Sequence, residues 1–127
     1  MTKIDYTTLI FYLVSSDNHL TKVYLVDDNQ QKFFGEGPFR LLKEVERTGS
    51  LRAAAISMDM AYSKAMRLLK NAENSMGVLL TTRSTGGKKG GGSTLTPEGK
   101  DLLEKYEIFE RECKEANSRI YLEVFGG

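Results

Sequence analysis

Tyr62, Ser63, Lys64, Arg67 and Lys70 fall at spacings that put them on one broad face of a helix. Such a face combines hydrogen-bonding, stacking and cationic groups. Arginine and lysine pair with guanine edges or phosphates, serine bonds to either, and tyrosine reaches a phosphate or a thymine methyl. The set therefore suits both positioning on a DNA duplex and reading it. A merely solvated face on a core helix is the alternative, and the spacing alone does not separate the two.

The element that must carry these residues is a helix from about Ala61 to Met76. Ala65, Leu68, Leu69, Ala72 and Met76 form its inner side, and Gly77 is placed to end it in the left-handed conformation. Before it, Ser50 is a helix cap, and Leu51-Arg52-Ala53-Ala54-Ala55-Ile56 continues with good helix formers. The alanines let a second helix cross close by. A break at Ser57-Met58-Asp59-Met60 then separates the two helices. Residues 49 to 83 thus read as a helix-turn-helix whose second helix enters the major groove, with Ser50 and Arg52 contributing from the first.

Val78 to Arg83 and Ser93 to Leu95 read as short strands around a loop holding Gly86, Gly87, Gly90, Gly91 and Gly92. Glycine allows close approach to phosphates, and Arg83, Lys88 and Lys89 add charge, so the hairpin is a candidate wing. A flexible linker is one alternative. A nucleotide-phosphate loop is the other, but no glycine-lysine pair here is followed by Ser or Thr.

Upstream, Gly35-Glu36-Gly37-Pro38 marks the start of a helix on which Phe39, Leu42 and Val45, with Leu41 beside them, make an apolar stripe ending at Thr48-Gly49. Residues 1 to 35 read as strands: Thr7 to Val14, then Leu20 to Val26 after the turn-prone Ser15 to Asn18. Val23 to Val26 can pair with residues 31 to 34 across Asp27 to Gln30.

Downstream, Thr96-Pro97-Glu98 is a strong helix start: a capping hydroxyl, a first-position proline and an acid in the first turn. Leu102, Tyr106, Phe109, Cys113, Ala116 and Ile120 follow at alternating spacings of four and three, a heptad seam. The seam either covers the domain's own core or meets the same helix of a second copy; its length favours a two-fold homodimer.

The formal net charge of +1 looks unfavourable for a polyanion partner, but it averages unlike segments. Residues 1 to 38 hold three Lys/Arg against five Asp/Glu, residues 39 to 100 eleven against five, and residues 101 to 127 four against seven. The positive field lies on the segment read as the contact region. One cysteine excludes an intrachain disulfide, and with His19 the lone histidine no zinc cluster is available, so neither a metal nor a cofactor is expected. Cys113 is a small apolar seam residue and not an activated nucleophile. The longest apolar run, Leu9 to Val14, is too short to span a bilayer, and no signal sequence is evident, so no membrane partner and a cytoplasmic location are expected.

Taken together, Gly49-Ser50-Leu51, Ala54-Ala55, Met60 to Ala65, Glu73, Gly77, Leu80, Arg83, Thr85-Gly86-Gly87-Lys88, Gly90-Gly91-Gly92 and Leu95 to Gly99 resemble the winged helix-turn-helix of ModE-type, molybdenum-dependent transcriptional regulators. The resemblance spans about residues 35 to 110. The helix-turn-helix part is also similar, more distantly, to LysR-type regulators. The resemblance implies a dimeric repressor or activator on a two-fold operator. It also implies that oxyanion-binding domains lie C-terminal to this unit; with the sequence ending at Gly127, molybdate sensing is expected to be absent.

The expected architecture is α+β, a single winged helix-turn-helix domain over residues 1–127. It divides into N-terminal strands (1–35), a helical DNA-binding core (38–77), a wing (78–95) and a long C-terminal dimerisation helix (97–123). The expected function is sequence-specific binding of double-stranded DNA as a dimeric transcriptional regulator, not catalysis. The alternative is a protein-interaction module on the same scaffold that has lost DNA binding. Its sign would be Lys64, Arg67 and Lys70 neutralised by the acidic C-terminal helix.

Overall fold

A computed structural model describes residues 20–84 and 92–126. They fall into two compact units, residues 24–107 and, separately, residues 20–23 with 108–126. The expected strand Thr7 to Val14, the turn Ser15 to Asn18 and His19 lie outside the described residues, as do Lys88 and Lys89.

The larger unit opens with a two-stranded antiparallel hairpin, β1 (Leu25–Val26) and β2 (Lys32–Phe34), which pairs Leu25 with Phe34 and Val26 with Lys32. Of the expected strand Leu20 to Val26, only its end is extended in a ladder; the turn chemistry explains where it begins. The Asp27 Oδ1 accepts the Asn29 and Gln31 amides at 2.8 and 3.0 Å, and Gln30 adopts φ 63°. The carboxylate thus closes the turn locally and fixes the register immediately beside it.

Helix α1 (Glu36–Thr48) starts two residues before Pro38. Proline is tolerated there because first-turn amides have no intrahelical partner to lose. Phe39, Leu41, Leu42 and Val45 are buried, and Gly49, at φ 75°, ends the helix with its amide on the Val45 carbonyl. Ser50 then caps α2 (Leu51–Ser57), its side chain accepting from the Ala53 amide at 3.1 Å. Asp59 occupies the left-handed region at φ 53° in the turn that follows, a conformation in which aspartate is among the better-tolerated residues. Helix α3 (Tyr62–Met76) crosses after it. Ala54, Ala55, Ala65 and Ala72 are all at most 2% exposed, so the close crossing uses the small residues noted in the sequence. Gly77 stops α3 at φ 70°. Leu68 and Met76, expected to face inward, are half-buried, while the charged Glu73 is buried.

Strands β3 (Thr81–Ser84) and β4 (Gly92–Leu95) form the antiparallel wing, Thr81 opposite Leu95 and Arg83 opposite Ser93. Helix α4 (Pro97–Phe125) follows directly. Thr96 works in both directions: its hydroxyl accepts the Gly99 amide at 2.9 Å and donates to the Leu79 carbonyl at 2.7 Å. Its own amide donates to the Leu80 carbonyl at 3.0 Å. A side-chain carbon on Gly99 would collide with that same Leu80 carbonyl oxygen, so glycine is required by close approach of helix to strand.

The start of α4 closes the core of the larger unit. Tyr106 stands edge-on to Phe34 with ring centroids 5.1 Å apart and contacts Phe39 at 4.9 Å, while Leu102 and Leu103 are buried alongside. Of the six seam residues, Leu102 and Tyr106 therefore serve their own core. In the smaller unit, Cys113 and Ala116 are half-buried, and Phe109 and Ile120 are 46% and 49% exposed. Asn117 Nδ2 donates to the Thr21 hydroxyl at 3.1 Å. No helix among the described residues is long and apolar enough to cross a membrane.

Candidate nucleic-acid interface

Lys70 apart, the cations of α1, α2, α3 and β3 divide into two groups. Arg40 pairs with Glu36 at 2.7 Å, Lys43 with Glu107 at 3.0 Å, and the Arg47 Nε with Glu44 at 2.8 Å. All three cations of α1 are thus paired with carboxylates, Arg40 and Arg47 within the helix and Lys43 with α4. Glu44 also accepts from the Ser57 hydroxyl at 2.9 Å, joining α1 to the end of α2. The Arg47 and Ser57 hydrogen bonds hold its carboxyl below the ordinary carboxylate range, and the Glu44 contact raises the Arg47 guanidinium.

Arg52, Lys64, Arg67 and Arg83 form the second group, none of them in an ion pair with a carboxylate among the described residues. All four are exposed, as is Ser63. Lys64 and Arg67 lie one turn apart on α3, and Ser63, Arg67 and Lys70 follow at four- and three-residue steps along one stripe. Arg52 and Arg83 come from α2 and the wing, yet meet at one residue: the Arg52 guanidinium stands over the Tyr62 ring, 4.5 Å from its centroid, and an Arg83 nitrogen donates to the Tyr62 hydroxyl at 3.4 Å. These three residues, with Ser50, Gly92 and Ser93, line a cleft of about 210 Å³ between helix-turn-helix and wing. Its two charged lining residues are both arginines.

The cleft owes its shape to backbone bonding. The Ser93 amide donates to the Gly49 carbonyl at 2.8 Å, which fixes β4 against the turn that leads into α2. Arg83 lies opposite Ser93 in the ladder and is held in place by the same contact. The left-handed Gly49 turn thus positions the wing as well as ending α1.

Lys70 differs from its neighbours. Its Nζ lies 3.5 Å from Oε1 of the buried Glu73, whose Oε2 accepts the Leu80 amide at 2.9 Å. The structure brings Ser50, Arg52, Tyr62, Arg83 and Ser93 together, strings Ser63, Lys64, Arg67 and Lys70 along α3, and leaves Lys88 and Lys89 outside the described residues. Sequence reasoning missed Ser93 and the burial of Glu73. The inner stripe contained a sign of the latter, since Glu73 stands one turn after Leu69. Within the larger unit, no carboxylate of α4 up to Glu107 pairs with Lys64 or Arg67; Glu107 pairs with Lys43 instead.

Comparison with known proteins agrees with this geometry. Residues 38–100 match the model of the bacterial regulatory helix-turn-helix proteins of the lysR family. The chain is 36% identical over 92 residues to the transcriptional regulator ModE of Haemophilus influenzae, a match covering 72% of this chain and 36% of that protein. It is 35% identical over 91 residues to the molybdenum transport protein ModE of Herbaspirillum seropedicae, covering 72% of this chain and 32% of that one. The DNA-binding transcriptional dual regulator ModE of Escherichia coli is 35% identical over 81 residues, covering 62% and 30%. The chain thus spans about a third of the length of the curated relatives it matches. A crystal structure of the CbnR DBD–DNA complex shares the fold, with a TM-score of 0.56 at 22% identity over 69% of this chain and 95% of that one. The architecture is the expected α+β winged helix with a long C-terminal helix, and the segment 38–100 belongs to the lysR-type helix-turn-helix domains, in a chain related to the ModE regulators.

Proposed function

We propose that this protein is a sequence-specific, double-stranded-DNA-binding transcriptional regulator that acts as a homodimer in the cytoplasm and works by binding, not catalysis. The observation that carries this reading is the division of the cations: those of α1 are paired with carboxylates, whereas Arg52, Lys64, Arg67 and Arg83 on the helix-turn-helix and wing have no carboxylate partner among the described residues. Unpaired surface cations release counterions when they meet phosphates, and that release is the main sequence-independent source of affinity for DNA. In this reading Ser63 and Arg67 read base edges from the first turns of α3, Lys64 contacts phosphate, and Arg52, Tyr62 and Arg83 hold the backbone where the wing approaches. Lys88 and Lys89 extend the wing's contact.

Homodimerisation is supported by the later part of α4, where Ile108, Phe109, Ile120 and Val124 are between 45% and 66% exposed. A second copy of the helix would cover such apolar side chains. The ModE relatives support a regulatory role, and the lack of a carboxylate partner for Lys64 and Arg67 among the described residues favours DNA over a protein-interaction module.

Selection of bound sequences from a random duplex pool, followed by fluorescence anisotropy at several salt concentrations, tests the proposal. Enrichment of a two-fold motif and affinity falling steeply with salt are expected. Absent, or equal and salt-insensitive, binding to every duplex overturns it.

A further inference from the structure

Glu73 is a charged residue in a buried place. Its side chain is 5% exposed, and it sits between the recognition helix and the root of the wing. Its two oxygens have different tasks. Oε2 accepts the Leu80 amide at 2.9 Å, just before β3 begins. Oε1 is buried and makes no hydrogen bond among the described residues; the Lys70 ammonium at 3.5 Å is too far for one but close enough for an ion pair. A buried carboxylate oxygen with neither hydrogen bond nor counter-charge is strongly unfavourable, so Lys70 is the group that makes this burial tolerable.

Lys70 itself remains 58% exposed on the stripe shared with Ser63 and Arg67. It is within reach of two anions, a buried carboxylate and, in the complex, DNA phosphate. When it turns to phosphate it deserts Oε1. We infer that Glu73 is a positioning residue that restrains Lys70 from DNA while anchoring the wing root, so Lys70 contributes less to binding than Lys64 and Arg67, which have no carboxylate partner among the described residues. This inference rests on the DNA-binding reading and adds to it a device that sets the affinity.

Glu73→Gln tests it, because the glutamine carbonyl still accepts the Leu80 amide while the charge that restrains Lys70 is gone. Binding to a fixed duplex without an operator is measured by anisotropy over a salt series for the wild type, Glu73→Gln, Lys70→Ala and the double variant. Circular dichroism verifies that each is folded. Glu73→Gln is expected to bind about three- to tenfold more tightly and to steepen the slope of log K against log salt by about 0.9, the value for one more phosphate contact on duplex DNA. In the Lys70→Ala background the same substitution is expected to change neither. That cycle separates a released lysine from general loss of negative charge, which would persist without Lys70. A gain undiminished in the double variant, or an unchanged slope in Glu73→Gln, overturns the inference and leaves the DNA-binding reading standing. A wild-type protein that binds no duplex overturns both.

Discussion

The Arg52 guanidinium lies 4.5 Å from the centroid of the Tyr62 ring, so the first helix of the helix-turn-helix places its charge on the first residue of the second. Arg83 of the wing reaches the hydroxyl of the same tyrosine. Three elements converge on one aromatic side chain. A cation over an aromatic face at an exposed site contributes about 0.5–1 kcal/mol. Tyr62→Ala should therefore leave both arginines less ordered and weaken specific and scrambled duplexes alike, by roughly two- to fivefold. Tyr62→Phe keeps the ring under Arg52 and should lose less. Anisotropy titrations of both variants check the order, and an alanine variant with wild-type affinity would contradict it.

Arg67 is expected to act differently. It has no carboxylate partner among the described residues and lies on the face of α3 that also carries Ser63. If it pairs with a base, Arg67→Ala should weaken the selected operator by about 1–3 kcal/mol and relax the preference at one position, while scrambled DNA loses less. Repeating the selection with the variant reads this directly.

Gly99→Ala should destabilise the protein, although Gly to Ala inside a helix is ordinarily favourable by up to about 1 kcal/mol. The added carbon meets the Leu80 carbonyl oxygen, which already accepts from Thr96, so helix and strand must separate. A loss of about 1–3 kcal/mol is expected from such overpacking, read as a lower midpoint in urea. A higher midpoint would show that the close approach is easily relieved.

The heptad seam leads to a paired prediction. Tyr106→Ala removes a ring packed on Phe34 and Phe39 and should cost about 3–5 kcal/mol of stability, the range for large aromatic truncations. Ile120→Glu puts a charge where the side chain is half exposed. It should leave the helix content unchanged and shift sedimentation equilibrium toward the monomer. In the dimer, the operator half-sites are expected about 34–36 Å apart, one helical turn, or a multiple of it.

Acidification should loosen the join between α1 and α2. The Glu44 carboxyl is lowered from its ordinary value of 4.5 by Arg47 and Ser57, so its contribution is fully present above that value and is lost as pH falls through the lower folded value. Urea midpoints measured from pH 6 downward should fall more steeply for the wild type than for Glu44→Gln.

Much of this was legible because the decisive residues act locally. Ser50, Gly49, Gly77 and Thr96 cap or stop helices by contacts within a few residues of themselves, so their types announce the boundaries. The exposed stripe of α3 was equally readable, since helical spacing alone puts Ser63 and Arg67 on one side. What could not be read were the contacts that join segments far apart in the chain. Neither the meeting of Arg52 and Arg83 at Tyr62 nor the docking of Ser93 on Gly49 follows from periodicity. The heptad spacing likewise could not tell Tyr106, which fills its own core, from Phe109, which is exposed; that depends on where Phe34 and Phe39 lie. The carboxylate of Glu73 is buried because Leu80 needs an acceptor, and only the folded chain brings the two together.

The bond from the Ser93 amide to the Gly49 carbonyl has a dynamic consequence. That proton can exchange with solvent only when the wing lifts from the helix-turn-helix, whether or not DNA is present. Its exchange rate therefore reports an opening of one part of the domain that need not be global unfolding. If the amides of β4 open more readily than those of α1, the protein meets DNA with a rigid reading helix and a hinged second arm. Docking of that arm would then be a separate step that follows the first encounter.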